Sequence, residues 1–544
     1  MPRFAHTPLM RALQTLATDH AAAEASGRPV AEVRAALASG MSRRAFLGGA
    51  AAVSAGLAAS MLPSAASAAQ PAARRARGDE RIAIVGAGIA GLTAALTLAD
   101  GGVQATVYEA SSRIGGRMYS NTTYWNDSQV SEWGGELIDT GHRTIRRLAK
   151  RFNLPLDDLP AGSPATSTTT YHFDGTYYPV EQVDRDFLDV YPALQRDLKA
   201  AGYPTTWDSS TAAGRALDAM SVRQWIETRV PGGFASKFGQ LLDVAYNIEF
   251  GAETTDQSAL NLVYMLGYSP KRFAIFGESD EVYHIRGGNQ QLPLAIAAAL
   301  PRPVRLGWRL TKVAQANGEV VLTFDVNGAR EVVRCDRAIL TLPFAVLRTL
   351  DISDAGLDAR KRQAIREQGA GRNGKLQLQF TSRPWTQAGP WGISNGESYS
   401  DVGYQVTWEV TRAQPGASGI LNNYTGGDVT GAIPAHTAYS DRASNPSLGA
   451  LGSQFLQQAS PVFPGIAPKW NGKTTLSLQH KDPNLRLAYS YYRVGQYQQF
   501  GGYEAAAQGR IHFAGEHTTQ DFQGFMEGGA ITGAAAATEV LAAL

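Results

Sequence analysis

Hydrophobic positions fall into distinct patterns along this chain. Two short continuous runs, "RIAIVG" (Arg81–Gly86) and "ATVYEA" (Ala105–Ala110), predict buried strands. Between them, "IAGLTAALTLAD" has helical spacing and predicts an amphipathic helix. A further apolar run, "CDRAILTLPFAVL", predicts a buried strand leading into Pro343. In "GRNGKLQLQFTSRPW" polar and apolar residues alternate. Lys375, Gln377 and Gln379 share one face of the predicted strand, and Leu376, Leu378 and Phe380 share the other. "ALQRDLKAAG" and "SKFGQLLDVAYNI" are helical in pattern, as is "TPLMRALQTLATDHAAAEA" near the start.

One run differs from these. After Arg43 and Arg44 comes a charge-free stretch rich in Ala and Gly, closed by Ala66-Ser67-Ala68. It resembles a twin-arginine export signal over residues 42–68, cut before Ala69, with 1–41 as an N-terminal extension or pro-segment. A secreted or periplasmic protein with no stable membrane anchor is expected. Six of the 50 basic residues and three of the 48 acidic ones precede Ala69. The remainder is nearly balanced and gives no electrostatic case for nucleic acid. At 544 residues, 44% hydrophobic and 18% charged, the chain suits two or three globular domains. The one cysteine, Cys335, excludes an internal disulfide. The histidines show no HExxH or paired-cysteine spacing, so no metal is expected. "GISNG" fits GxSxG around Ser394, but its loop-like context lacks the strand-turn-helix that a nucleophile elbow needs.

The first strand leads into Gly86, Gly88 and Gly91, a GxGxxG turn that opens the helix. The first glycine permits the tight turn, the second lets backbone approach a pyrophosphate, and the third lets helix and strand pack closely. Ile89 and Ala90 offer N–H groups at the helix N-terminus, where a phosphate is stabilised. Glu109 and Ala110 end the second strand, and an acid there binds ribose hydroxyls. Just beyond, "SSRIGGRMYS" places Arg113, Gly115, Gly116 and Arg117 where backbone and guanidinium meet a diphosphate.

With these residues the chain resembles the flavin-containing amine oxidases across most of 80–544. The other blocks that carry the likeness are "SEWGGELIDTGH", "YHIRGGNQQLPLAIAAAL", "VRLGWRLTKV", "CDRAILTLPFAVL" and "GRIHFAGEHTTQDFQGFMEGGAITGAAAA". The resemblance implies an α/β fold with a Rossmann-like FAD-binding domain assembled from 80–150, 282–345 and 471–544. An α+β substrate domain would come from 151–281 and 346–470. It implies that Gly134, Gly135, Glu136 and Leu137 lie beside the flavin and that the backbone of Leu310 meets adenine. It further implies that Gly515 and Glu516 approach the ribitol, with Gly524 and Met526 at the ring. Covalently linked relatives carry a cysteine before the cage tyrosine. Ala488 stands there, so the FAD is expected to be non-covalent.

The same resemblance implies that Lys375 holds a water near flavin N5, and that Tyr489 and Phe525 face each other as an aromatic cage. With Gly524 and Leu137 they would contact substrate. Many amino-acid oxidases of the family carry Met-Arg after the Gly-Gly turn, whereas this chain has Glu136-Leu137. A substrate carboxylate would then need another partner: Arg486, with Arg286 as the lesser choice. The expected reaction is FAD-dependent oxidation of an L-α-amino acid to an imino acid, which hydrolyses to 2-oxo acid and ammonia while O2 becomes H2O2. A monoamine or polyamine oxidase, a dehydrogenase or desaturase on the same fold, and a non-catalytic FAD carrier remain the alternatives. A homodimer is allowed.

Overall fold

The computed structural model describes residues 80–268 and 273–544. The expected extension (1–41) and export signal (42–68) lie outside the described residues. No described helix is long and apolar enough to cross a membrane.

The predicted strands Ile82–Val85 and Ala105–Tyr108 pair in parallel, and Arg337–Leu340 and Ile511–Phe513 extend the same four-stranded sheet. Gly88 leads into the helix Ile89–Asp100. This helix is not amphipathic as expected, since nine of its twelve residues are buried. The C-terminal helix Met526–Ala543 packs along it. A Cβ on Gly533 would stand 2.1 Å from the Ala90 carbonyl oxygen, so the absent side chain sets that contact. An antiparallel meander, Trp308–Ala316, Glu319–Val326 and Ala329–Cys335, joins this half of the molecule.

The second sheet has eight strands. Asn373–Phe380 lies between Gly419–Gly426 and Trp470–Ser477, antiparallel to both. The sheet continues through Val406–Glu409 to Ser394–Ser400, which runs parallel to Thr168–Phe173. Helices Val180–Ala201 and Lys237–Phe250 pack against it, and Ala259–Leu266 packs on the first of these. Two expected boundaries shift. Trp470–Ser477, assigned to the FAD side from 471 onward, is a strand of the eight-stranded sheet. Leu156–Asp158, assigned to the substrate side, pairs with Tyr283–Ile285 from the FAD side. Hydrogen bonding between strands distant in sequence sets these edges, and a linear pattern does not record it.

The alternating strand is buried on both faces. All eight residues of Asn373–Phe380 are buried, including its polar face. Gln377 Nε2 donates to the Glu132 carbonyl, and Gln379 Nε2 to Gln129 and to the Asn126 carbonyl. The polar face therefore meets segment 126–136 rather than solvent. Ser394 opens a strand and is buried, with no helix after it, so the GxSxG match is structural.

Close packing at the first turn yields a stability prediction. A Cβ on Gly91 would lie 2.0 Å from the Gly86 carbonyl oxygen. Gly91→Ala should therefore cost about 1–3 kcal/mol, as overpacking does. It should lower the thermal unfolding midpoint, and an unchanged midpoint would contradict the packing described.

Candidate active site

Two cavities meet inside the described unit. The larger has a volume of about 470 Å3 and begins at the glycine turn. Gly86, Gly88, Ile89 and Ala90 line its start, with Glu109, Ala110, Arg113, Gly116 and Arg117 beside them. Gly86 has φ +108°, and a Cβ there would meet Thr341 Oγ1 at 2.4 Å. Gly91 does not line the cavity and acts only in packing. Glu109 ties two crossings together, accepting from Ala87 N and Ser111 N, both at 2.8 Å. Leu310 also lines this cavity. The strand register slips between Thr323 and Phe324, opposite Lys312 and Leu310, leaving a bulge at Thr311.

The two arginines are held by protein partners. Arg113 Nη1 donates to the Gly116 carbonyl at 2.7 Å, and its guanidinium stacks 4.1 Å above the Tyr119 ring. Arg117 Nη1 donates to Glu516 at 2.7 Å and to the Ala488 carbonyl at 2.9 Å. The Glu516 carboxylate also accepts from Ser490 Oγ and Gly524 N. Burial pushes its pKa up, but the Arg117 charge outweighs this and holds it below the usual range. One glutamate thus fixes three segments around the cavity, with Gly515 beside it at φ +140°.

The smaller cavity, about 130 Å3, opens from the larger at Gly134, Gly135, Lys375, Tyr424, Tyr489, Gly524, Phe525 and Met526. At this junction the buried Lys375 ammonium donates to the Gly134 carbonyl at 2.8 Å and to Glu136 Oε2 at 2.6 Å. Trp408 Nε1 donates to the other Glu136 oxygen at 2.8 Å. Burial raises the pKa of Glu136, yet Lys375 and Trp408 bring it below its ordinary value. Glu136 is therefore committed to Lys375 and is not a free anion awaiting a cationic substrate. Trp408 packs on Tyr424 with ring centres 4.9 Å apart, and Tyr424 donates to the Tyr489 hydroxyl at 2.7 Å. Tyr489 and Phe525 line both cavities.

Glu136 and Leu137, expected beside the cofactor, line the smaller cavity rather than the larger. Neither arginine expected to bind a carboxylate reaches it. Arg486 lines the larger cavity, and Arg286 is exposed and pairs with Asp157 at 2.7 Å. Arg412, which no sequence motif marks, lines the smaller cavity instead. Trp408, Tyr424, Glu249, Glu281 and Glu397 line it as well, and none of them was expected from the sequence. Trp408 and Tyr424 lie on adjacent strands, and no local motif marks either.

A profile of the flavin-containing amine oxidoreductases matches residues 89–541. The chain belongs to that family. The L-amino-acid oxidase of Bothrops pauloensis is 25% identical over 453 residues, covering 81% of this chain and 85% of its own. That of Siganus canaliculatus is 23% identical over 470 residues, covering 81% of each. Among solved structures, cyclohexylamine oxidase from Brevibacterium oxydans IH-35A superposes with a TM-score of 0.73 at 22% identity, covering 86% of this chain and 99% of its own. Wild-type putrescine oxidase bound to putrescine gives 0.70 at 20%, covering 85% and 99%.

The cofactor of this flavin amine oxidoreductase is FAD, and the larger cavity fits it. Its wall brings a bare glycine backbone, a helix N-terminus and a carboxylate to one end, and Lys375 with the aromatic pair to the other. Gln479 Nε2, on the same wall, has no hydrogen-bond partner. When bound, FAD supplies the two-electron acceptor for oxidation at the substrate's amine-bearing carbon. Cys335 is buried on the meander, where its thiol donates to the Val320 carbonyl, and it lines neither cavity.

Two outcomes follow from this geometry. Acid precipitation should release all the FAD into the supernatant; flavin in the pellet would contradict the non-covalent site. A Cβ on Gly88 meets only Gly116 Cα, at 3.9 Å, so Gly88→Val should fold without strain. It should nevertheless be colourless, because the side chain fills the space where a pyrophosphate meets the backbone. Full FAD occupancy in folded Gly88→Val would refute that placement.

Proposed function

We propose that this enzyme oxidises the C–N bond of an L-α-amino acid to an imino acid, which hydrolyses to 2-oxo acid and ammonia while O2 is reduced to H2O2. The observation that carries the reading is Arg412. It is the one arginine among the described residues lining the smaller cavity. Its Nε donates to the Glu409 carbonyl at 3.1 Å, which fixes the stem. No hydrogen bond from its terminal nitrogens to a described residue is present, so the fork is available for a bidentate carboxylate. The L-amino-acid oxidases among its relatives support the same reading.

The other residues then have clear tasks. Tyr489 and Phe525 flank the path between the cavities and limit how an amine approaches. The Tyr424 hydroxyl and Trp408 ring hold Tyr489 in place. Lys375 uses two of its three N–H donors on Glu136 and Gly134, leaving one to hold a water at the junction. The aromatic walls exclude bulk solvent. Arg43 and Arg44 support export of the folded protein.

Oxidation of a plain amine is the second reading. It is favoured by Leu137, which stands where an amino-acid oxidase of the family carries arginine. Peroxide release from L-amino acids, their D-enantiomers and the matching decarboxylated amines separates the two. The L-amino acid should be preferred, and Arg412→Leu should lower its kcat/KM by about 2–5 kcal/mol in transition-state terms, the cost of losing a buried charged partner. Faster turnover of the amine, or an Arg412→Leu variant with unchanged kcat/KM, would move the assignment to an amine oxidase.

A further inference from the structure

The smaller cavity holds more carboxyl groups than an α-amino group requires. Besides Glu136, already paired with Lys375, three glutamates line it from three separate elements. Glu249 comes from the helix Lys237–Phe250, Glu281 from the turn before Tyr283–Ile285, and Glu397 from the strand Ser394–Ser400. Glu397 accepts from Thr169 Oγ1 at 2.8 Å and from the Tyr399 hydroxyl at 3.1 Å. These neutral donors hold its position without cancelling its charge. Neither Glu249 nor Glu281 has an ion-pair partner among the described residues. Glu281 also has φ +47°, a backbone conformation that a glutamate rarely adopts.

Buried charges are ordinarily paired, since an isolated ion pays a large desolvation cost. Here burial drives the Glu249 carboxyl up to about 7 and the Glu281 carboxyl well above its usual range, which favours their neutral forms until a cation enters to pair with them. Glu397, Asp139 and Glu249 raise Glu281 further, and Arg412 only partly offsets them. Phe250, Phe276 and Trp408 share the wall, and aromatic faces attract cations. Resting on the amino-acid reading above, we infer that Glu249, Glu281 and Glu397 form a side-chain subsite for a second positive charge, so that the preferred substrates are L-amino acids with a cationic side chain. Arg412 takes the α-carboxylate, the aromatic pair takes the amine being oxidised, and the glutamates take the distal guanidinium or ammonium. The single arginine among the carboxylates keeps a simple anion-for-cation rule from applying to the whole cavity, which separates this substrate class from acidic amino acids.

The test compares near-isosteric substrates that differ in charge, on the FAD-loaded wild-type enzyme. KM for peroxide release should be lower by roughly tenfold or more for L-arginine than for L-citrulline, and for L-lysine than for L-norleucine. Glu249→Gln, Glu281→Gln and Glu397→Gln, each checked for flavin content, should shrink that ratio toward one. Equal or lower KM for L-citrulline and L-norleucine in the wild type would overturn the subsite whatever the variants do. An unchanged ratio in all three FAD-loaded variants would overturn it as well. Agmatine and cadaverine separate this inference from the reading on which it rests. If they were oxidised faster than arginine and lysine, while each remained far better than an uncharged alkylamine of equal length, the cation subsite would stand and the amino-acid assignment would fall. If L-amino acids were preferred but neutral ones led, the assignment would stand and the subsite would fall.

Discussion

The site depends on one buried ion pair. Lys375 sits on a strand of the eight-stranded sheet, and Glu136 sits on the Gly-Gly segment that passes between the two cavities. Two buried charges are expensive, and such a pair is tolerated only where its geometry is good and its remaining atoms are hydrogen-bonded. Both conditions hold here. Gly134 contributes a carbonyl to the lysine, and Trp408 donates to the second carboxylate oxygen. The pair joins segment 126–136 to the sheet, and Gln377 and Gln379 continue that seam along the same strand face. Trp408 then sets Tyr424, and Tyr424 sets Tyr489. Removing either charge would leave the other buried and unpaired, at a cost of about 3–5 kcal/mol.

Glu516 plays the matching part on the cofactor side. It gathers Arg117, Ser490 and Gly524 onto one carboxylate, so the basic loop after the second strand is fixed to the start of the C-terminal helix. Arg117 is committed to these partners, whereas Gly88 and Gly116 present bare backbone to the larger cavity. The family's chemistry asks little of side chains beyond this, because FAD accepts the electrons. The protein supplies orientation, exclusion of water and a choice of substrate, and the smaller cavity determines the last of these.

The nucleotide half was legible because its determinants are local. A glycine turn between a strand and a helix, with an acid ending the next strand, needs only some thirty residues to be recognised. The substrate half was not. Arg412, Trp408 and the three glutamates come from separate elements, and the topology alone brings them to one cavity. Arg486 was a reasonable choice by proximity to Tyr489, but it faces the larger cavity. The buried polar face of Asn373–Phe380 shows the same limit. Alternation correctly implied which residues share a face, while the packing partner of that face came from 239 to 253 residues away. The twin-arginine segment was legible as a pattern and lies outside the described residues.

Lys375 and Glu136 are joined as a unit at the junction of the two cavities. A double-mutant cycle on the rate of anaerobic flavin bleaching by substrate tests this directly, using Lys375→Met, Glu136→Gln and the double variant. Each single change should slow bleaching by roughly tenfold or more, within the range for loss of a positioned proton-transfer group. The double variant should be no slower than the worse of the two, because residues that act as one are strongly non-additive. Losses that multiply in the double variant, or single variants that bleach at the wild-type rate, would contradict the claim.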